Sequence, residues 1–158
     1  MVSVTAKSHD IAKENALEVS QVRKRVQSAI AAARQRAESQ RQRAAEAEKA
    51  YAAFLDDVAT PVTRQLATAL KAEGHAFTVF TPGNGLRLAA DRGRDDFIEF
   101  ALDTQSHPPQ VMARVSHTRG SRTIDEEKPV KPGASPETLT EDDVLDFLLH
   151  ALEPWFER

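Results

Sequence analysis

Asp103, Glu126, Glu127 and Lys128 are the residues whose types come nearest to a catalytic set. Two carboxylates can hold a magnesium ion, and a lysine can steady the attacking water or a phosphate, which is the chemistry of a metal-dependent nuclease. The Glu126-Glu127-Lys128 tripeptide is short, and it lies close to Pro129 and Pro132 in a polar stretch that reads as a linker. A solvated loop is the plainer expectation for it. The five histidines, His9, His75, His107, His117 and His150, are dispersed. No two of them are spaced to present paired imidazoles from one element, so no metal site is expected. Gly83-Asn84-Gly85 opens no helix and reads as a hairpin turn rather than a phosphate loop. The chain has no cysteine, which excludes thiolate nucleophiles, disulfides and Cys-ligated zinc. With no nucleophile elbow or P-loop either, no catalytic residue, metal or cofactor is assigned, and a non-enzymatic role is expected.

A second class of chemistry is charge. The chain of 158 residues has a net charge of −3, which argues against a protein that binds nucleic acid over its whole surface. The average conceals a local excess. Residues 23–43 carry seven bases, Arg23, Lys24, Arg25, Arg34, Arg36, Arg41 and Arg43, against the single acid Glu38. Such a stretch could lie against phosphates. It has no interleaved aromatics for base stacking, and the plainer reading is the solvated flank of a paired helix, with long stems covering the seam.

The elements that carry these residues follow from the distribution of helix breakers. All eight prolines and all six glycines lie at or after Pro61, and fifteen of the first sixty residues are alanine. Alanine with Glu, Gln, Arg and Lys predicts one long helix over residues 5–58, ended or kinked at Thr60-Pro61. A short helix follows, with Val62, Leu66, Ala69 and Leu70 on one face and Gly74 just past its end. Strands are predicted at residues 76–81, 86–90, 96–103 and 110–116, with a short fifth at 121–125 and a polar linker over 126–136. Thr140 is placed to cap a last helix, whose first turn is Glu141-Asp142-Asp143. The apolar stripe of that helix is Val144, Phe147, Leu148, Ala151, Leu152 and Trp155, and Leu145, Leu149 and Phe156 widen it beyond what one sheet face covers. The fold class is α+β, with a helical arm at residues 1–60 and a compact unit at 61–158 built as a helix, an antiparallel meander and a terminal helix.

A helix of this length with one apolar stripe needs a partner surface. Its expected seam is Val19, Val22, Val26, Ile30, Ala33, Ala37, Ala44, Ala47, Tyr51 and Phe54. From Ile30 to Val58 the spacing is that of coiled-coil heptads, with Gln40 in the seam. From Ile11 to Ala33, with Asn15 in the seam, the period is eleven residues. A parallel dimer sets Arg36 against Arg41 of its mate. An antiparallel one, with Ala37 against Ala47 and Tyr51 against Ala33, sets Arg34 against Glu48. A homo-oligomer with antiparallel helix pairing, or an acidic helical protein, is therefore the expected partner. Nucleic acid is the lesser expectation. Residues 1–10 have no apolar core and no run is long enough to span a membrane, so the expected compartment is the cytoplasm. A small α+β domain with a helical arm resembles secretion chaperones and kinetochore-like assembly proteins in architecture alone. The function expected is an assembly module that oligomerises through the helix while the α+β unit binds a protein partner. A nucleic-acid-associated regulator is the alternative.

Overall fold

The structure, a computed structural model, describes residues 17–158. The readings that involve Met1, Thr5, His9, Asp10, Ile11 and Asn15 lie outside the described residues. Helix α1 spans Val19–Phe54 and is followed without a break by a π-helical turn, Leu55–Ala59, and by α2, Thr60–Ala72. The sequence suggested that Thr60-Pro61 would end or kink the long helix. Instead the helical path continues, because Pro61 stands in the first turn of α2, where its missing N–H is not needed. The wider π turn directly before it absorbs the disturbance that a proline ring brings to the preceding carbonyls. Gly74 then stops the helix at φ 88°. The Gly74 N–H donates to Lys71 O at 3.1 Å and the His75 N–H to Leu70 O at 2.8 Å, the paired bonds of a Schellman ending.

Five strands follow as an antiparallel meander in chain order: β1 Phe77–Phe80, β2 Leu86–Ala90, β3 Phe97–Asp103, β4 Gln110–Arg119 and β5 Arg122–Pro129. The Pro82–Gly85 segment turns β1 into β2, with the Gly85 N–H donating to Pro82 O at 2.9 Å. The fifth strand is longer than expected. Residues 126–129, expected in a linker, pair instead with Met112 through Val115 of β4. A run of charges hides a strand well when one of its faces and its outer edge are open to water. The chain then passes a 3-10 turn, Pro136–Thr138, to α3, Glu141–Ala151, and α4, Glu153–Phe156. Thr140 caps α3 in a reciprocal box: its hydroxyl accepts from the Asp143 N–H at 3.1 Å, and the Asp143 carboxylate accepts from the Thr140 N–H at 3.0 Å.

Residues 43–158 form one compact unit and residues 17–42 another. In the compact unit the register places Val79, Leu86, Leu88, Ile98, Phe100, Val111, Ala113 and Val115 on one face of the sheet. Leu66 and Leu70 of α2 and Val144, Leu148, Ala151 and Leu152 of α3 and its end join the same core, as do Tyr51, Phe54, Leu55 and Ala59. The last turns of α1 therefore belong to the compact unit, which starts well before Pro61. The opposite sheet face carries Arg87, Phe97, Glu99, Arg114, Asp125 and Glu127, and the helices of the compact unit pack on the other side. Among the described residues no helix is long and apolar enough to cross a membrane.

Candidate interaction surfaces

The expected seam divides into two parts. Val19, Val22, Val26 and Ile30 are large, branched and exposed, at 84%, 43%, 49% and 45% respectively. Ala33 and Ala37 are exposed as well and Ala44 is half-buried. Ala47, Tyr51 and Phe54 are instead buried, Tyr51 and Phe54 in the core of their own chain. This corrects the expected seam: these three side chains already have their partners. It also removes the antiparallel register that paired Ala37 with Ala47 and Tyr51 with Ala33. The heptad spacing could not separate the two roles, because a helix packed on its own sheet and a helix packed on another chain use the same stripe. The open stripe runs from Val19 to about Ala37.

The flanks of that stripe are basic. Arg23, Lys24, Arg25, Arg34, Arg36, Arg41 and Arg43 are all exposed. Arg41 pairs within the helix with Glu38 at 2.7 Å. Residues 19–42 hold six bases and one acid, a net +5. Two such segments laid stripe to stripe would bring together two helices of net positive charge, with clusters at Arg23–Arg25 and at Arg34 and Arg36.

The candidate catalytic residues do not converge. Asp103 ends β3 opposite Gln110, and Glu127 lies opposite Arg114, two strands from β3. Four residues along a strand and two strand spacings put them on the order of 16 Å apart. The Asp103 carboxylate is occupied locally, accepting from the Ser106 hydroxyl at 2.5 Å and the Gln105 N–H at 2.9 Å. Those bonds, the Ser106 one foremost, hold its pKa below the usual carboxylate value. Glu126 and Lys128 point to the core side of β5 and pair at 3.8 Å, while Glu127 points to the other face.

The histidines also take structural places. His75 meets the Phe156 ring edge-on at 5.4 Å, and His117 meets Trp155 at 5.7 Å. His150 pairs with Glu153 at 3.4 Å. His107 precedes a cis proline and lines a cleft of about 470 Å³ with Arg43, Glu46, Ala50 and Pro136. His117 and His150 share a smaller cleft of about 190 Å³ with Glu126, Lys128 and Glu157. Among the described residues no three His, Asp or Glu side chains are grouped to hold a metal ion. A wider cleft of about 680 Å³ lies between the end of α1 and the β1–β2 turn, with Glu48, Asp56 and Glu99 in its wall. Tyr51 also lines it, and its buried hydroxyl has no hydrogen-bond partner. Burial, aided by the charge of Glu99, pushes the Tyr51 pKa up and keeps the phenol neutral.

Two arrangements on the sheet were not visible in the sequence. On the face away from the helices, Phe97 is only 7% exposed because Arg87 lies over its ring at 4.2 Å and Arg114 lies beside it at 5.5 Å. Each guanidinium is fixed by an acid, Glu99 at 2.5 Å and Asp125 at 2.6 Å. Cross-strand pairs of this kind turn a solvent face into ordered surface. At the edge of the core, Asp96 is 2% exposed. Its carboxylate accepts from the Thr118 N–H at 2.7 Å and from Arg158 at 3.0 Å, and Arg158 also donates to Thr118 O. Burial alone would raise the Asp96 pKa. The Thr118 N–H and the Arg158 guanidinium outweigh it and hold the pKa below the usual value.

The last two helices carry the remaining surface of interest. Leu149 and Phe156 are 40% and 42% exposed, and Leu145 is half-buried. Asp142, Asp146, Glu153 and Glu157 are exposed around them. Residues 141–157 hold six acids and no Lys or Arg. No family model, curated protein or solved structure matches the chain.

Proposed function

We propose that the protein is a non-enzymatic assembly module that self-associates through the open stripe of α1, while its α+β unit binds protein. The observation that carries this reading is the exposure of Val19, Val22, Val26 and Ile30 on one helix face, at 84%, 43%, 49% and 45%. Burying such side chains stabilises an interface by roughly 1.5–3 kcal/mol each when the burial is complete, and a contiguous apolar stripe marks an interaction surface. The test is solution mass by light scattering. The intact chain is expected at a multiple of 17.4 kDa, and Val26→Asp with Ile30→Asp at 17.4 kDa. Equal masses for the two overturn the proposal.

The exposed bases of residues 23–43 support a second reading, a regulator that binds nucleic acid. A short DNA duplex titrated at low salt separates the two. Assembly through the stripe predicts no binding that survives physiological salt. Tight, steeply salt-dependent binding that is unchanged by Val26→Asp with Ile30→Asp favours the regulator.

A further inference from the structure

We infer that the surface receiving the α1 stripe is the acidic apolar face of α3 and α4 on a second copy of the chain. The inference rests on the assembly reading and names its partner surface. Exposed large apolar side chains of the described residues fall into two groups, apart from Phe80. One is Leu17, Val19, Val22, Val26 and Ile30 on or beside α1, and the other is Leu149 and Phe156 on α3 and α4. The first group sits among Arg23, Lys24 and Arg25, all exposed. The second sits among Asp142, Asp146, Glu153 and Glu157, also exposed.

The charges are opposite. Residues 19–42 sum to +5 from six bases and one acid, and residues 141–157 sum to −6 from six acids and no Lys or Arg. Stripe against stripe brings +5 against +5, and α3 against α3 brings −6 against −6. Stripe against α3 is the pairing that brings unlike charge to both flanks of an apolar seam. The dimensions agree as well. Val19 to Ile30 spans eleven residue steps of continuous helix, about 16 Å, and Leu145 to Phe156 covers the same number of residues over α3, the turn at Leu152 and α4. On α3, Asp142, Leu145, Asp146 and Leu149 follow the i, i+3, i+4, i+7 spacing of one helix face. The two patches differ, so each copy offers both halves of the contact.

Light scattering at low and high salt tests this with variants in each patch. Leu149→Ser with Phe156→Ser is expected to fall to the single-chain mass, as Val26→Asp with Ile30→Asp does. Added salt is expected to weaken the wild-type assembly, because its flanking charges are exposed. A charge exchange guards against variants that merely misfold. Arg23→Glu with Arg25→Glu, and separately Asp146→Lys with Glu153→Lys, are each expected to be monomeric, and an equimolar mixture of the two is expected to associate. If Val26→Asp with Ile30→Asp dissociates the chain but the Leu149 and Phe156 changes do not, the partner surface is wrong and the assembly reading stands. If wild type is itself monomeric, both are overturned. If the mixed charge variants stay apart, the inference fails whatever the serine variants do.

Discussion

Asp96→Asn tests the arithmetic of the one carboxylate that the compact unit buries. Asn keeps an oxygen for the Thr118 N–H but presents an amide N–H₂ to the Arg158 guanidinium, donor against donor. The bond lost is charge-assisted, a class worth about 1.5–3 kcal/mol. Arg158 is 45% exposed on its side chain and can turn into water, so the lower half of that range applies and the cost is about 2 kcal/mol. Arg158→Ala leaves Asp96 with the Thr118 N–H and costs about 1–2 kcal/mol. The double variant is expected to cost about 1 kcal/mol less than the sum of the two, because the pair is removed only once. Urea unfolding followed by fluorescence of Trp155, the single tryptophan, reads this directly. The pH dependence has a defined sign. The folded pKa of Asp96 lies below its ordinary value of 3.8, so the stabilisation is complete above that pH and fades as pH falls through the folded value. Asn does not titrate, so the gap between wild type and Asp96→Asn is expected to narrow in acid. A variant within about 0.5 kcal/mol of wild type at neutral pH, or a gap that stays constant in acid, refutes the reasoning.

Two further substitutions separate local from tertiary effects. Thr140→Ala removes one half of the capping box and is expected to lower stability by about 1 kcal/mol in urea, with no change in the assembled mass. Phe54→Ala opens the core and is expected to cost about 3–5 kcal/mol, whereas Ile30→Ala on the same helix leaves the urea midpoint of the isolated chain within error and weakens association instead. Equal stability losses at both positions contradict the division of the stripe.

The α+β class, the antiparallel meander, the Thr140 cap and the Gly74 ending could be read from breaker positions and alternation, because each rests on local chemistry. Residues 126–129 could not, since an exposed edge strand with charge on both faces has no alternation to detect. The long helix was legible, but the ownership of its stripe was not. Tyr51 and Phe54 keep heptad phase with Ile30, and only the sheet brought against them shows which chain covers them. Asp96 with Arg158, and Phe97 between Arg87 and Arg114, join residues distant in sequence, so no spacing announces them. Asp103, Glu127 and Lys128 match a catalytic set by type alone, and strand register puts Asp103 two strands from the other two and turns Lys128 to the opposite face.

The division of α1 has an energetic meaning. A single run of backbone hydrogen bonds passes from Val19 to Phe54, yet only its last turns are anchored by the core. Upstream of Arg43 the described helix is held by alanine propensity and the Arg41–Glu38 pair, which leave an isolated helix marginal in water. Secondary structure is therefore continuous where cooperativity is not. The opening free energy along the helix is expected to fall from the anchored turns after Arg43 toward Val19, which amide hydrogen exchange reads residue by residue. A surface that engages the stripe lengthens the cooperative unit as it binds, so part of the binding energy is spent on ordering, and the affinity reads out helix formation as well as contact.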